Sequence, residues 1–298
     1  MNFPHLAYGT PRKLPRPHQL PGRVVVLDIA FAANAGGATF DKVTRPFLDG
    51  LGDRLAMWID HHDHDRHVDF QGDARFVLRT KAQHGACPEL VTPERVEQAG
   101  AIDTICCHGD FDGLCSAAKW ITGGEEPYPG ADDDARAIDT RLGRPSDRAS
   151  FVDRALRARF RDEGLKTEVV HYFVSGAPDF EFFTRIRSAA KEYDAIEAEA
   201  ERLSVGYRVD EGYAICDATQ RRGPYDKTTL LLLGQEQAPI SVVHDESTVT
   251  VAARFDSGID LVRMLGLDGG MPTRVSVDKK RLADVLARLR KDAQRLSP

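Results

Sequence analysis

Apolar and polar positions follow two patterns along the first two-thirds of the chain. Short continuous apolar runs, typical of buried strands, cover residues 24–27 and 55–59, and each run ends in an acid, Asp28 or Asp60. Longer segments with helical spacing separate such runs, and the first is predicted at 40–51. Regular alternation of the two patterns indicates strands that are connected by helices.

The same patterns continue to about residue 180. Further strands are predicted at 74–80, 101–107, 135–140 and 168–174. Helices are predicted from Pro93, which follows a Thr92 cap, and at 114–121 and 146–161. This alternation is typical of a doubly wound, mostly parallel sheet.

The remaining third of the chain has a different texture. A long polar helix is predicted at 180–203, rich in Ala, Glu and Arg, and it suits a connector. Short strands are then predicted at 212–217, 230–233, 240–244, 248–255 and 274–277. Helices are predicted at 258–265 and 278–296, the second with Asp278 as its cap.

We therefore expect an α/β fold class, with a doubly wound sheet, a helical connector and a smaller α/β C-terminal lobe. The expected segments are a Pro-rich N-terminal arm (1–22), a first domain (23–180), the connector (181–210) and a second domain (211–298). Five prolines in the arm predict a flexible or surface-hugging segment.

Composition narrows the class of protein. The net charge of −6 argues against a protein that coats duplex DNA, although it allows local basic grooves for a short anionic substrate. Five cysteines without a Cys-x-x-Cys pair argue against a disulfide framework. No apolar run is long enough to span a membrane, and the start of the chain lacks an apolar signal core. We expect a soluble, cytoplasmic protein with reduced cysteines.

Two motifs place acids and imidazoles directly after predicted strands. They are Ile59-Asp60-His61-His62 and His108-Gly109-Asp110-Phe111-Asp112-Gly113. Residues at the carboxyl ends of parallel strands meet in one crevice. Carboxylate oxygens and neutral imidazoles there suit Mn²⁺ or Mg²⁺.

On these two motifs the chain resembles the DHH phosphoesterase superfamily, whose members include RecJ-like exonucleases and oligoribonucleases. The resemblance implies a catalytic first domain with a pair of Mn²⁺ ions, Mg²⁺ being possible, that activate a shared water. It implies six metal ligands: Asp28, His61, His108, Asp110, Asp112 and Asp139. In the same way, Asp60 would orient an imidazole and His62 would face the substrate phosphate.

The second domain resembles the substrate domain of that family. Arg254 precedes a small helix, and Gly269-Gly270-Met271 lies where the family has glycines followed by histidine. The resemblance implies that Arg254, Gly269, Gly270, Met271 and Arg274 contact substrate. The chain departs from the family twice, since Met271 replaces the histidine and the two metal motifs occur in reversed order.

Several alternatives stay open at this stage. Asp139 competes with Asp103 and with residues 132–134 as the last ligand, and Asp28 could be a plain strand-end acid. Arg254 could form an ion pair between the lobes. Cys106 and Cys107 could suggest zinc, but neighbours on a strand point to opposite faces, which favours core packing.

The sequence thus predicts a metal-dependent phosphodiesterase acting on a nucleotide, a short single-stranded oligonucleotide or a cyclic dinucleotide. The alternatives are a small-molecule phosphatase or pyrophosphatase, and a non-catalytic nucleotide sensor on the same fold. A homodimer is possible, and no membrane partner is expected.

Overall fold

The computed structural model describes residues 3–178, 181 and 183–296, and the chain divides into two compact units. The first unit comprises Met1–Ala32 and Ala38–Glu192, and the second comprises Ala33–Gly37 and Tyr193–Pro298. Each unit has a five-stranded sheet of its own. The predicted α/β fold class is confirmed.

The sheet of the first unit is parallel throughout. Its strands are β1 (His5–Tyr8), β2 (Val24–Leu27), β3 (Leu55–Asp60), β5 (Phe76–Leu78) and β6 (Thr104–Cys107); β4 (Asp63–His64) is a two-residue strand outside it. The order across the sheet is β1-β6-β2-β3-β5. Strand β2 therefore lies in the middle, with β3 on one side and β6 on the other.

Both faces of this sheet are buried. Alternate residues of β2 point to opposite faces, so Val25 and Leu27 join one apolar cluster, while Val24 and Val26 join another. Cys106 and Cys107 divide in the same way and are both fully buried, as core packing requires. Burial of both faces explains why the strands read as continuous apolar runs.

Seven α-helices belong wholly or partly to the first unit within the described residues. They are α1 (Thr44–Leu51), α2 (Pro93–Ala99), α3 (Phe111–Ile121), α4 (Ala131–Thr140), α5 (Asp147–Ala158), α6 (Glu163–Val174) and α7 (Thr184–Ser204). The boundary between the units falls inside α7. Every helix within the described ranges is too short or too polar to cross a bilayer.

Two predicted strands of this unit are helices. Residues 135–140 belong to α4, and three acidic residues in its first turn stabilise the helix by interacting with the positive end of its dipole. Residues 168–174 belong to α6, whose first turn is capped by the Asp162 carboxylate accepting from the backbone N–H of Leu165. Short apolar runs are ambiguous between helix and strand, and here the acidic first turn of α4 and the Asp162 cap of α6 favour the helix.

The N-terminal arm is more ordered than its prolines predict. Residues His5–Tyr8 form β1, which pairs in parallel with β6 along its whole length. The backbone N–H of His5 donates to the Asp103 carbonyl at 2.8 Å, and that of Gly9 donates to the Cys107 carbonyl at 3.0 Å. The arm thereby covers an edge of β6 that would otherwise expose unpaired backbone groups.

The second unit has a mixed sheet. Its strands are β7 (Arg208–Asp210), β8 (Tyr213–Asp217), β9 (Ile240–His244), β10 (Thr248–Ala253) and β12 (Arg274–Asp278), in the order β12-β10-β9-β8-β7; β11 (Gly269–Gly270) is a two-residue strand outside it. Its helices include α8 (Lys227–Gln235), α9 (Leu261–Leu265) and α10 (Leu282–Leu296). The predicted strand at 230–233 is wrong, since Asp226 caps a helix there by accepting from the Thr229 N–H.

Candidate metal centre

The carboxyl ends of β2, β3 and β6 bring the candidate ligands together. Asp28 follows β2, Asp60 ends β3 with His61 behind it, and His108 follows β6. From β2 the chain proceeds through β3 to one edge of the sheet and then returns to place β6 on the other side. Such a reversal of strand order opens a crevice at the carboxyl ends, where α/β proteins bind their ligands.

Asp28 lies at the centre of the site. Its Oδ1 is 3.2 Å from His61 Nε2, and its Oδ2 is 3.7 Å from His108 Nδ1. Both oxygens are buried without a hydrogen-bond partner in the described structure. Burial and the nearby carboxylates of Asp112 and Asp110 raise the pKa of Asp28 well above its usual range. A cation between these acids would remove that repulsion.

His61 lies between a backbone carbonyl and two carboxylates. Its Nδ1 donates to the backbone carbonyl of His84 at 3.0 Å, which directs Nε2 into the site. Nε2 is 3.2 Å from Asp28 Oδ1 and 3.3 Å from Asp112 Oδ2. Burial and Lys81 lower the pKa of His61, but the carboxylates of Asp112 and Asp28 beside Nε2 outweigh them and raise it to about 10.

The start of α3 supplies two acids. Asp110 caps the helix through a hydrogen bond from the Gly113 N–H, and its Oδ2 lies 2.7 Å from His108 Nδ1. Asp112 is in the first turn and is 2 % exposed. Burial lowers the pKa of His108, but Asp110 outweighs it and raises that pKa to about 9. Burial opposes ionisation of Asp112, yet His61 and Lys81 hold its pKa below the usual range.

Gly113 permits the close approach of these elements. A Cβ on this residue would lie 2.6 Å from the backbone carbonyl oxygen of His108 and 3.0 Å from Asp28 Oδ2. Any side chain would therefore push α3 away from the end of β6.

Asp60 and His62 form a pair beside the ligands. Asp60 Oδ1 is 2.8 Å from His62 Nδ1, and Asp60 is fully buried. Burial opposes ionisation of Asp60, but His62 outweighs it and holds the pKa of Asp60 below its usual range. Burial also lowers the pKa of His62. Because Asp60 engages Nδ1, Nε2 is the His62 nitrogen that is available to a substrate.

Donor atoms converge in three sets, each within 4.8 Å. The sets are Asp28, His61 and His62; Asp28, His108 and Asp110; and His61, Asp112 and Asp139. Imidazole nitrogens with carboxylate oxygens suit Mn²⁺ or Mg²⁺, and the two Asp28 oxygens without hydrogen-bond partners are suitable ligands for such an ion.

Asp139 reaches the site from α4 and not from a strand end. Its Oδ2 is 3.9 Å from His61 Nε2. The competing acids are engaged elsewhere: Asp103 accepts from the backbone N–H of Arg23, and Asp132 pairs with Lys119 at 2.5 Å.

Lys81 is a member of the site that sequence reasoning missed. It lies in the turn after β5, it is 3 % exposed, and its Nζ is 2.9 Å from His61 Nε2. Nζ also forms an ion pair with Asp139. The available signal was its position, because β5 belongs to the same sheet and ends at the same edge as β2 and β3.

The substrate residues predicted in the second unit form local contacts. The Arg254 guanidinium pairs with Asp256 at 3.0 Å and is largely exposed. Gly270 has a positive φ of 127°, and the Arg274 N–H donates to the Met271 carbonyl at 3.0 Å in a tight turn. Their role in substrate binding stays a prediction.

Comparisons with known proteins do not establish a family. No family model matches the chain, and no curated protein matches it. Among solved structures, it is similar to the pGpG-specific phosphodiesterase PggH from Vibrio cholerae, with 12 % identity, a TM-score of 0.46, and coverage of 92 % of this chain and 99 % of that one. An uncharacterized protein from Helicobacter pylori G27 matches with 10 % identity, a TM-score of 0.20, and coverage of 93 % and 85 %. Scores this low support no conclusion about function.

Proposed function

We propose that this chain is a divalent-metal-dependent phosphoesterase that hydrolyses phosphodiester bonds of short oligonucleotides or of linear or cyclic dinucleotides. One observation carries the proposal: Asp28 buries two oxygens without hydrogen-bond partners, each of them facing an imidazole. Burial of an unpaired carboxylate is costly, so its retention calls for a cation. The resemblance to DHH phosphoesterases implies a pair of Mn²⁺ ions. We propose that the ligands of the first ion are Asp28, His108 and Asp110.

The roles of the residues follow from their contacts. A bound divalent ion would supply Lewis-acid activation of water and of the phosphoryl oxygens. Asp28 and Asp110 would hold that ion through carboxylate oxygens, and His108 through Nδ1, the nitrogen that faces both acids. Asp60 fixes the ring of His62, and we propose that the His62 Nε2 contacts a phosphoryl oxygen of the substrate.

The negative net charge of the chain favours a short substrate over a long nucleic acid. The chain carries a net charge of −6, whereas a groove that tracks a long single strand needs an extended positive surface. A dinucleotide needs only a few cationic groups, and Arg254 and Arg274 are our candidates in the second unit.

An activity screen with Mn²⁺ tests this proposal. Bis-p-nitrophenyl phosphate, linear dinucleotides, cyclic dinucleotides, pyrophosphate and nucleoside monophosphates are incubated with the metal-stripped chain, with and without added Mn²⁺. We expect hydrolysis of the diesters only when metal is present. Hydrolysis of pyrophosphate or monophosphates alone would favour the small-molecule phosphatase, and dinucleotide binding without turnover would favour the sensor.

Two matched double variants distinguish the loss of the metal site from the mere loss of two negative charges. Replacing Asp110 and Asp112 together by Asn should abolish turnover. The control replaces Asp133 and Asp147, which are 83 % and 99 % exposed at their side chains, by Asn. This control should keep full activity. Equal activity of the two double variants would refute the residue assignment.

A further inference from the structure

The third set of donor atoms, His61, Asp112 and Asp139, already surrounds a positive charge. The Lys81 Nζ is 2.9 Å from His61 Nε2 and is paired with Asp139. Asp112 completes the set, with its Oδ2 3.3 Å from the same Nε2. The lysine ammonium thus lies among the donors that a second divalent ion would need.

The turn that carries Lys81 also fixes His61. The backbone N–H groups of Gln83 and His84 both donate to the Thr80 carbonyl, which closes a tight turn at residues 80–84. Within it, the His84 carbonyl accepts from His61 Nδ1 while the Lys81 Nζ meets Nε2. One short segment therefore contacts both nitrogens of the imidazole.

Lys81 is also anchored through its backbone. Its N–H donates to Asp63 Oδ2 at 3.2 Å, and its side chain is 2 % exposed. Moving the ammonium out would leave Asp139 without this partner. A buried lysine paired with a carboxylate is costly to separate, since one charge would then be buried alone.

The other two sets differ in whether their donor atoms contact Lys81. In the set of Asp28, His61 and His62, the His62 Nδ1 is held by Asp60 at 2.8 Å and the His61 Nε2 faces Lys81. In the set of Asp28, His108 and Asp110, the His108 Nδ1 lies 2.7 Å from Asp110 Oδ2 and 3.7 Å from Asp28 Oδ2, and neither Asp28 oxygen has a hydrogen-bond partner in the described structure. Because these close contacts join the donors of the set to one another and not to Lys81, we take this set as the one that binds an ion.

We infer that Lys81 replaces the second metal ion, so that the centre binds a single divalent cation at Asp28, His108 and Asp110 with the lysine ammonium as its second positive charge. The inference rests on the proposed function, since it concerns how the same site carries its charge. An ammonium is a compact point charge that suits a phosphoryl oxygen, so it can share electrostatic stabilisation with the ion.

Metal stoichiometry tests this inference without an activity assay. The full chain is stripped of metal, equilibrated with excess Mn²⁺, freed of unbound ions, and analysed for manganese per chain. We expect a single Mn²⁺ in the wild type and a second one in Lys81→Met, because that variant vacates the third set while keeping a long side chain. Lys119→Met is the matched control, since Lys119 is also buried in a lysine–aspartate pair, outside the site. It should keep the wild-type stoichiometry.

Electron paramagnetic resonance keeps the test decisive if a variant fails to fold. With excess Mn²⁺ the wild type should show the hyperfine pattern of a magnetically isolated ion, and a spin-coupled pair would overturn the inference. Wild type binding a pair of ions while still hydrolysing diesters would refute the role of Lys81 and leave the proposed function standing. A single ion in both the wild type and a folded Lys81→Met would also refute it. A wild type that binds no manganese would overturn the proposed function as well.

Discussion

Replacement of Asp28 by Asn should stabilise the metal-free protein and abolish its stabilisation by metal. The carboxylate is 1 % exposed, and neither oxygen has a hydrogen-bond partner in the described structure. Burial and two neighbouring acids raise its pKa, so the native state binds a proton that the unfolded chain releases near pH 4. Stability of the metal-free protein therefore falls as pH rises above that value, and at pH 7 the Asn variant avoids this loss.

The backbone at this position suits the substitution. Asp28 has a positive φ of 58°, in the left-handed region that asparagine tolerates better than most residues. A buried polar group without a partner costs about 1–3 kcal/mol, and a charged one costs more. A gain of about 2 kcal/mol corresponds to a rise in Tm of about 4–8 °C for a unit of this size.

Addition of metal should make the wild type more stable than the Asn variant. An ion at about 100 times its dissociation constant stabilises the wild type by about 2.7 kcal/mol, whereas the Asn variant lacks the central ligand and should gain almost nothing. Differential scanning calorimetry with and without Mn²⁺ measures both effects. A lower Tm for metal-free Asp28→Asn would refute the reasoning, because it would mean that the carboxylate is satisfied by the fold itself.

Asp134→Asn is the control for this experiment. Asp134 is also buried, but its oxygens accept from the Tyr128 hydroxyl at 2.9 Å and from the Ser146 N–H and hydroxyl at 2.6 and 2.7 Å. Loss of these charge-assisted bonds should destabilise the metal-free protein by about 1–3 kcal/mol. The shift in Tm on adding Mn²⁺ should stay as in the wild type.

Three further outcomes are expected. Gly113→Ala should weaken Mn²⁺ binding more than about tenfold by calorimetric titration, because its Cβ would meet the His108 carbonyl oxygen at 2.6 Å and displace both ligand segments. Asp60→Asn should lower kcat about 10–100-fold with unchanged Mn²⁺ stoichiometry, since it removes the charge that orients His62, whereas loss of bound metal would contradict this role. Mn²⁺ binding at pH 7 should release protons, because the pKa of His108 is raised to about 9 and the ion needs the neutral ring; heats that do not vary with buffer would contradict it. By the same linkage, the stability that protonated His108 gives the metal-free protein is complete below about pH 6.5 and is lost as pH rises through about 9.

The sequence predicted the strands at the centre of the first sheet because burial of both faces makes them continuous apolar runs. Residues 24–27 and 55–59 have no competing helical period, and each ends in an acid. Residues 168–174 and 230–233 are apolar runs as well, yet they lie in helices. Their caps, Asp162 and Asp226, stand ahead of the runs and were visible in the sequence.

Other parts of the structure had no adequate sequence signal. Strand β1 contains only four residues beside several prolines, and it is stable because the exposed edge of β6 provides its hydrogen bonds. Lys81 belongs to no motif, and only the fold places its ammonium beside His61. Asp139 came from a resemblance while its segment was predicted as a strand, so the expected residue reaches the site on the wrong type of element.

The reversed order of the two motifs does not weaken the proposed function, because order along the chain and order across the sheet are separate. In a parallel sheet every strand ends at the same edge, so a ligand's place depends on its neighbouring strands. Strand β2 lies between β3 and β6, which puts Asp28 within reach of both His61 and His108. Exchange of the sequence positions of β3 and β6 would leave these neighbours unchanged. The geometry therefore requires Asp28 on the middle strand and not a particular order of the motifs.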